Sequence, residues 1–468
     1  MKIYLYFYIG LTGLLCFGQN KELLYNFTDI PQSLLQNPGS KVTFNKHAGI
    51  PLFSQIHANA GTTEITLSDL FADNSILFND KVRNALNIAN RNDFITTTQQ
   101  LELGFIGWRP TNKRTDNLYI SAGAYLELDL ITYIPKDIAT FFIEGNRGFV
   151  NQAFKLSDLS LTAELLAVYH VGISKNVSNR LSVGARGKLY SSIFSIRSTN
   201  NRGTFTTIDT PDGNNFFSHQ LRNVDVTIKT AGYATVAEFG EDGTLDNNVR
   251  DLAKLFLKRS LFGGNLGIGL DLGATYKLDT QWTLTGSLLD LGLIYYTKDT
   301  ENYKAKGNYT FIGFEAPINP LRGQNVLEEL EEAVPIDTLS QKYISLRPLK
   351  LNTSLSYAFN RKNTECYSCK RGEEVLYKDE VGIQLFSQFR PRRPIFAASL
   401  FYSKRISNLF HLKGTYTVDD YSFSNLGLLF SMNLFGFNFY LAGNHLLEYR
   451  NLANANAASV QVGFNIIL

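Results

Sequence analysis

Three features of the sequence combine residue types and spacings that could carry chemistry, and the first is a glycine-rich run. Gly263-Gly-Asn-Leu-Gly-Ile-Gly269 has the glycine content of a loop that cradles phosphate. A dinucleotide-binding fingerprint requires a strand before the glycines and a helix after them. Here a two-residue alternation continues through the run to Leu278, which predicts a strand. We therefore expect no nucleotide site and no cofactor.

The second feature is a pair of carboxylates, Asp271 and Asp290, each of which precedes a Leu-Gly pair. Two such groups could perform acid–base chemistry or bind Mg²⁺. Buried charges are tolerated when they are paired, and pairing with Arg186, Lys188 or Lys277 inside a barrel is the interpretation that we favour. No metal site and no catalytic residues are predicted, and we do not expect an enzyme.

The third feature is Cys366-Tyr-Ser-Cys369. Structural zinc requires about four ligands, and no second pair lies nearby. A redox-active pair of this spacing would lie at a helix N-terminus in a βαβ unit. We expect instead a structural disulfide in a periplasmic connection, because the periplasm is oxidising.

The chain begins like a secreted protein and has the composition of a β protein. Residues 1–18 have the pattern of a signal peptide, with Lys2, the mostly apolar run Ile3–Leu15 and a small residue, Gly18, before cleavage. The chain has 34 Phe, 24 Tyr and a formal net charge of +3, without the basic patch that nucleic acid demands. An exported, aromatic-rich chain without an apolar helical span is either a secreted β protein or a membrane barrel.

Long alternating segments favour the membrane barrel. A barrel strand needs about 9–11 residues that alternate between a lipid-facing and a lumen-facing side. Residues 266–278, 349–360 and 118–134 alternate in this way, with Leu266, Leu351 and Leu355 among the outward positions. The last residues, from Val460 to Leu468, alternate to the end, as in the terminal signal that the barrel-assembly machinery reads.

The sequence predicts an all-β fold: a transmembrane antiparallel β-barrel of 14 strands with an N-terminal hatch and helical extracellular loops. We divide the chain into a signal peptide (1–18), an N-terminal plug (19–40) and the barrel (41–468). Pro51 interrupts the first strand, and the outward phase slips after Leu288, which predicts a bulge. The predicted strands are 41–60, 98–108, 118–134, 161–173, 181–196, 265–278, 283–296, 348–359, 380–389, 394–403, 409–418, 423–434, 437–447 and 458–468.

The connections and the lumen residues refine this prediction. Connections at one end are mostly short, whereas 61–97, 197–264 and 297–347 are long, as expected of periplasmic turns and extracellular loops. Mixed charges in the lumen favour an occluded barrel, in which the plug is the segment Lys21–Ser40. The predicted lumen charges are Glu102, Glu127, Asp129, Glu164, Arg186, Lys188, Asp271, Lys277 and Lys350.

Two short motifs resemble a known group of proteins. The segment Pro31-Gln-Ser-Leu-Leu-Gln-Asn-Pro-Gly39, and the hairpin with Asp271-Leu-Gly273 and Asp290-Leu-Gly292, resemble a family of uncharacterised Bacteroidota outer-membrane proteins. That family is similar in architecture to the long-chain fatty-acid transporter (FadL) superfamily, which also includes a shuttle of type IX secretion. The resemblance implies a 14-stranded barrel with an N-terminal hatch and ligand sites on extracellular loop helices. No residues match the transporter's ligand-binding residues, so none are carried over.

Three loop segments are predicted to be helical: Asn247–Arg259, Asp80–Asn90 and Val326–Val334. In the first, one face carries four apolar residues that could bind a hydrophobic ligand or partner, or could simply pack within an extracellular cap. These residues are Val249, Leu252, Leu255 and Phe256.

Two functions remain open for a bacterial cell outer-membrane protein of this kind. One is capture or passage of hydrophobic small molecules. The other is a non-transporting subunit of an envelope complex for secretion or barrel assembly. The expected partners are outer-membrane lipids, the barrel-assembly machinery during biogenesis, and a hydrophobic ligand or an envelope protein, but no nucleic acid.

The cysteine pair gives a first testable prediction. Cys366 and Cys369 should be oxidised in protein isolated from the outer membrane, because the segment that carries them lies in an oxidising compartment. Mass spectrometry after alkylation, with and without prior reduction, measures this. Alkylation of both thiols without reduction would show that the disulfide is absent.

Overall fold

A computed structural model describes residues 22–110, 117–145, 147–209, 217–232, 245–311, 336–361 and 377–468. Among them are 21 strands. In chain order these are β1 (Lys46–Gly49), β2 (Ile56–Thr62), β3 (Phe94–Trp108), β4 (Leu118–Tyr133), β5 (Ala153–Lys155), β6 (Leu161–Asn176), β7 (Leu181–Ser198), β8 (Arg202–Asp209), β9 (Phe217–Ala231), β10 (Asn265–Lys277), β11 (Trp282–Tyr296), β12 (Thr300–Phe311), β13 (Asp337–Leu339), β14 (Tyr343–Leu346), β15 (Lys350–Arg361), β16 (Tyr377–Gln388), β17 (Ile395–Arg405), β18 (Phe410–Asp419), β19 (Asn425–Leu434), β20 (Phe437–Asn444) and β21 (Ala457–Ile467).

The strands close into an antiparallel barrel with 14 staves, which confirms the predicted fold. Strands β1 and β2 together form the first stave, and β14 and β15 together form the eighth. The other staves are β3, β4, β6, β7, β10, β11 and β16 to β21. Closure comes from β21, which pairs with β20 on one side and with both β1 and β2 on the other.

The two faces of the wall follow the alternation in the sequence. In β10, Ile268 is 61% exposed on the outside, whereas Asp271 is fully buried on the lumen side. The same holds in β15, where Leu351 and Leu355 face outward and Asn352 is buried. An apolar exterior around a closed set of hydrogen-bonded strands is what a membrane-spanning barrel requires. The protein is therefore an outer-membrane β-barrel.

The first stave is broken where the sequence places Pro51. Between β1 and β2, residues 50–55 leave the ladder, and Leu52 adopts a positive φ of 66°. Leu52 and Phe53 are 48% and 56% exposed on the outer surface. Proline has no N–H to donate to a ladder, so the chain makes this excursion instead of a continuous strand.

The predicted bulge in β11 is confirmed and has a defined place. Leu270 pairs with Leu291, but Leu272 pairs with Leu288, so β11 has an extra residue opposite Asp271. Asp290 lies in this bulge with a φ of 61°. The bulge turns the Asp290 side chain toward the lumen, where it is buried.

The end with the long loops carries additional structure beyond the barrel. Strands β5, β8, β9, β12 and β13 form a sheet that joins the wall where β9 pairs with β7. These segments were predicted as loops, because lipid imposes no alternation on residues beyond the membrane. The described residues include α-helices at Leu67–Phe71, Phe78–Ile88, Lys136–Glu144 and Leu245–Lys258.

Two of the predicted loop helices are confirmed, at Phe78–Ile88 and Leu245–Lys258. The third, Val326–Val334, lies outside the described residues, and the helix Lys136–Glu144 was not predicted. In the part of the chain that the structure describes, no helix is long and apolar enough to cross a membrane.

Candidate functional site

Residues Glu22–Ser40, which we call the inner segment, are almost entirely buried. The segment contains two short 3-10 turns, Glu22–Leu24 and Pro31–Leu35. Its side chains reach opposite walls of the barrel. The Gln32 amide donates to Glu102 on β3 at 3.0 Å and to Asn465 on β21 at 2.8 Å, and the Tyr25 hydroxyl donates to the Asn352 carbonyl on β15 at 3.3 Å. The segment therefore lies across the lumen.

The end of the inner segment packs backbone against backbone on the wall. A Cβ atom at Gly184 would lie 1.9 Å from the Pro38 carbonyl oxygen, and one at Gly273 would lie 2.8 Å from the Gly39 nitrogen. Only glycine leaves room for this approach. The Pro-Gly at the end of the first sequence motif thus rests on the glycine of the Asp271-Leu-Gly273 motif.

Arg186 on β7 links the inner segment to the wall. Its guanidinium donates to the carbonyl oxygens of Leu34 and Leu35 at 3.0 and 2.8 Å. It also donates through Nε to Asp271 at 2.8 Å. Both charged side chains are almost fully buried. A charge that is removed from water in this way is stable when its pairing is complete, and Arg186 completes its pairing with groups from both parts of the chain.

A chain of ion pairs extends from this contact toward the long-loop end. Lys188 lies 2.9 Å from Asp271 and 2.5 Å from Asp290, which also pairs with Lys350 at 2.9 Å. Beyond these, Arg347 pairs with Glu127 at 2.6 Å and with Glu164, and Arg390 pairs with Asp129 at 2.5 Å. The structure therefore brings eight of the nine predicted lumen charges to ion pairs or, for Glu102, to the inner segment.

Sequence reasoning missed Arg347 and Arg390, which complete the ion-pair chain. Arg347 lies in the break between β14 and β15, and Arg390 lies in the turn after β16, so neither follows the alternation of a strand. Lys277 lies beside Lys41 near the short-turn end, away from the ion-pair chain. Burial and the neighbouring charge of Lys277 lower the pKa of Lys41 to about 8.

Asp29 holds the inner segment at the short-turn end. Its carboxylate accepts from Arg405 at 2.7 Å and contacts Nδ1 of His411 at 2.8 Å. Burial raises the pKa of Asp29, but the hydrogen bond with His411 and the charge of Arg405 outweigh it, so this pKa lies below its usual value. Nε2 of His411 lies 2.8 Å from Ser403 Oγ, which gives the order of a serine-hydrolase triad. Ser403 is only 5% exposed, however, so we assign the group to holding the segment.

A small cavity remains between the inner segment and the ion pairs. Its volume is about 70 Å³. The inner segment lines it with Leu35 and Gln36, and the wall lines it with Lys188, Asp290 and Lys350. Toward the long-loop end, buried aromatic rings pack against each other: Phe94 lies edge-on to Tyr421, with ring centroids 5.4 Å apart.

A larger pocket, which we call the rim notch, lies where the wall is low. Strand β18 ends at Asp419, whose partner is Ala397, so the start of β17 rises above its neighbour. The backbone N–H of Phe396 donates a hydrogen bond to the Asp420 carboxylate at 2.8 Å. The pocket has a volume of about 730 Å³. It is lined by Thr63, Glu64, Asp93, Leu351, Thr353, Leu385, Phe386, Ser387, Arg393, Phe396, Ala397, Ala398, Val418, Asp419, Asp420, Tyr421, Ser422, Phe423 and Asn456.

The rim notch borders both the outside of the barrel and its interior. Leu385, Phe396 and Ala398 belong to the outward face of the wall, and Phe386 and Ala397 to the inward face. Phe386, Ala397 and Tyr421 also line the interior cavity. These three side chains therefore separate the two spaces.

The residues predicted to bind a ligand on the loop helix lie elsewhere. Leu252, Leu255 and Phe256 are half-buried on the helix Leu245–Lys258. The side chain of Val249 is not among those that the structure describes. None of these three lines the rim notch or the interior cavity. Arg259, just after the helix, donates to the Ile193 carbonyl at 3.0 Å and so fixes the helix end to β7. Cys366 and Cys369 also lie outside the described residues.

Residues 38–444 match the sequence profile of DUF5723, a family of unknown function. The chain belongs to the DUF5723 family. The matched region holds the ion pairs and every stave except β21, together with all the rim-notch residues except Asn456, but most of the inner segment precedes it. No curated protein matches the sequence.

Several solved structures are similar in outline. The toluene transporter TbuX of Ralstonia pickettii matches with 10% identity and a TM-score of 0.40, over 93% of this chain and 92% of its own. A FadL homologue of Pseudomonas aeruginosa matches with 9% identity and a TM-score of 0.40, over 94% of each chain. The translocator domain of the autotransporter NalP of Neisseria meningitidis has a TM-score of 0.32 at 8% identity, over 92% of this chain and 90% of its own. These values are too low to transfer a function.

Removal of the Arg186 guanidinium should destabilise the barrel. In Arg186→Met, Asp271 would stay buried with part of its pairing lost, which should lower the free energy of unfolding by about 3–5 kcal/mol. Urea unfolding in lipid vesicles, followed by heat-modifiable migration on gels, measures this. Arg180→Met, in the exposed turn between β6 and β7, is the matched control and should change little. Equal midpoints for the two variants would contradict the role of Arg186.

Proposed function

We propose that this protein captures hydrophobic small molecules at the rim notch, beside a lumen that the inner segment closes as a hatch. The observation that carries the proposal is the place of the notch, because it borders the outer face of the wall and the interior cavity through Phe386, Ala397 and Tyr421. A ligand that entered there would need to displace few groups to reach the lumen.

The shape and chemistry of the notch suit an apolar ligand. Ligand pockets commonly measure about 300–1,000 Å³ and combine apolar walls with a few polar groups. The notch, at about 730 Å³, lies within that range. Leu351, Leu385, Phe396 and Val418 form its apolar side.

A permanently open aqueous pore is the less favoured alternative. The inner segment and the ion pairs leave an interior cavity of about 70 Å³, which has room for few water molecules. Passage through the barrel would require the inner segment to move, and its polar contacts with the wall are the groups that must break. Arg186, Gln32 and Asp29 provide three of these contacts.

Filling the notch should block capture. Ala398→Trp places a large ring in the notch on the outward face, where an aromatic side chain is compatible with lipid, and should weaken binding of a hydrophobic probe at least tenfold. Binding is measured by titrating a fluorescent fatty acid and N-phenylnaphthylamine against protein in nanodiscs, with empty nanodiscs subtracted.

The matched control is Ala274→Trp. Ala274 lines a different outer-surface hollow of about 760 Å³, with Ile173 and Leu272, and its replacement should leave binding unchanged. Equal loss in both variants would point to an effect on the surrounding lipid. If the intact protein binds no hydrophobic probe saturably, the capture function fails and a scaffold role in an envelope complex takes its place.

The hatch gives a separate prediction. Deletion of residues 21–40 should raise single-channel conductance in a planar bilayer well above that of the intact protein, because the segment contacts opposite walls of the lumen. Heat-modifiable migration shows whether the shortened barrel is folded. Large steady currents through the intact protein would contradict the proposed closure.

A further inference from the structure

We propose that the rim notch selects amphiphiles whose polar end is uncharged or positively charged and donates hydrogen bonds, such as a long-chain alcohol or amine, over those that end in a carboxylate. This inference rests on the proposed capture function and names its ligand class. Its basis is the set of polar groups at one side of an otherwise apolar pocket.

The first observation is the hydroxyl of Ser387. It lines the notch, and Ser387 is 8% exposed. Among the described residues its Oγ has no hydrogen-bond partner. Buried polar groups are nearly always hydrogen-bonded, and an exception requires an explanation such as a bound partner that is not part of the protein. A ligand with a polar end in the notch would supply that partner.

The second observation is the charge around this hydroxyl. The described lining residues include four carboxylates, Glu64, Asp93, Asp419 and Asp420, and one cationic side chain, Arg393. The Arg393 guanidinium lies 2.8 Å from the Asp420 carboxylate, so these two charges offset each other. The remaining charge of the notch is therefore negative.

The charge state of the carboxylates favours a ligand that donates hydrogen bonds over one that only accepts them. Ionised carboxylates accept hydrogen bonds and cannot donate them. Asp93 is 7% exposed, and its Oδ2 accepts the Asn90 N–H at 2.6 Å. Asp419 accepts the N–H groups of Tyr421 and Ser422 at 2.8 and 2.9 Å, which fixes it in place. An anionic ligand would meet like charges in a partly desolvated pocket, where repulsion is stronger than in water.

The apolar side of the notch accounts for the other end of the ligand. Leu385 is 53% exposed and Phe396 is 59% exposed on the outer surface next to Ser387. An alkyl chain can lie against these side chains while its polar end reaches the hydroxyl. The combination predicts an amphiphile rather than a purely apolar hydrocarbon.

A charge-matched series tests this selectivity. Dodecanol, dodecylamine and dodecanoate share one chain length and, at pH 7, have a neutral, a cationic and an anionic end. Each compound is titrated against protein in nanodiscs that has bound N-phenylnaphthylamine, and the loss of probe fluorescence is measured. Ala398→Trp protein, in which the notch is filled, gives the loss that comes from lipid alone. We expect the alcohol and the amine to act at concentrations at least tenfold lower than the carboxylate.

Two variants separate the contribution of the Ser387 hydroxyl from that of the negative charge in the notch. Ser387→Ala should weaken the alcohol and the amine severalfold while leaving the affinity for the apolar probe unchanged. Asp420→Asn leaves Arg393 without its carboxylate, and should reduce the preference against dodecanoate. Neither change removes an apolar wall of the notch, and heat-modifiable migration shows that each variant is folded.

The outcomes distinguish this inference from the function on which it rests. If all three compounds bind and dodecanoate binds as tightly as the others, the selectivity is wrong and the capture function stands. If no compound or probe binds saturably, the capture function fails and the selectivity fails with it. Unchanged selectivity in both variants would also overturn the assignment of Ser387 and the charges.

Discussion

The Arg186 guanidinium is the point at which three parts of the molecule meet. It binds two carbonyl oxygens of the inner segment and a carboxylate of the wall, and that carboxylate also pairs with Lys188. A buried cation must have its donors satisfied, because an unpaired charge in a dry interior is costly. The position of the inner segment and the order of the ion-pair chain therefore depend on one another. Neither can change without leaving a buried charge exposed to an apolar environment.

The wall of this barrel could be predicted from the sequence because lipid imposes a simple rule. Every second residue must be apolar over the thickness of the membrane, and the 14 predicted strands each correspond to a stave of the structure. The broken first stave and the bulge at Asp290 could also be predicted, because a proline and a slip in the alternation can each be recognised within a few residues of sequence. The extracellular sheet was missed because lipid imposes no such pattern on residues beyond the membrane.

The candidate site was less predictable, for physical reasons that differ from residue to residue. The lumen charges were found because they occupy the inward phase of regular strands. Arg347 and Arg390 were missed because they occupy a strand break and a turn, where the phase is lost. The rim notch depends on strand ends from distant parts of the chain, such as Asp93 before β3 and Asp419 at the end of β18, and no short motif records such a coincidence. The helix Leu245–Lys258 was predicted correctly, but its apolar residues do not line the notch.

The staves differ greatly in length, and this asymmetry affects how molecules would reach the protein. Strand β7 has 18 residues, whereas β18, β19 and β20 have 10, 10 and 8. At about 3.3 Å per residue, β7 is longer than β18 by about 26 Å, so the wall is tall at β7 and low at β18. An amphiphile concentrated by partitioning into the outer leaflet would meet the low side by diffusion within the plane of the membrane. The supply of ligand would then depend on its membrane concentration, which for an alkyl chain far exceeds its concentration in water.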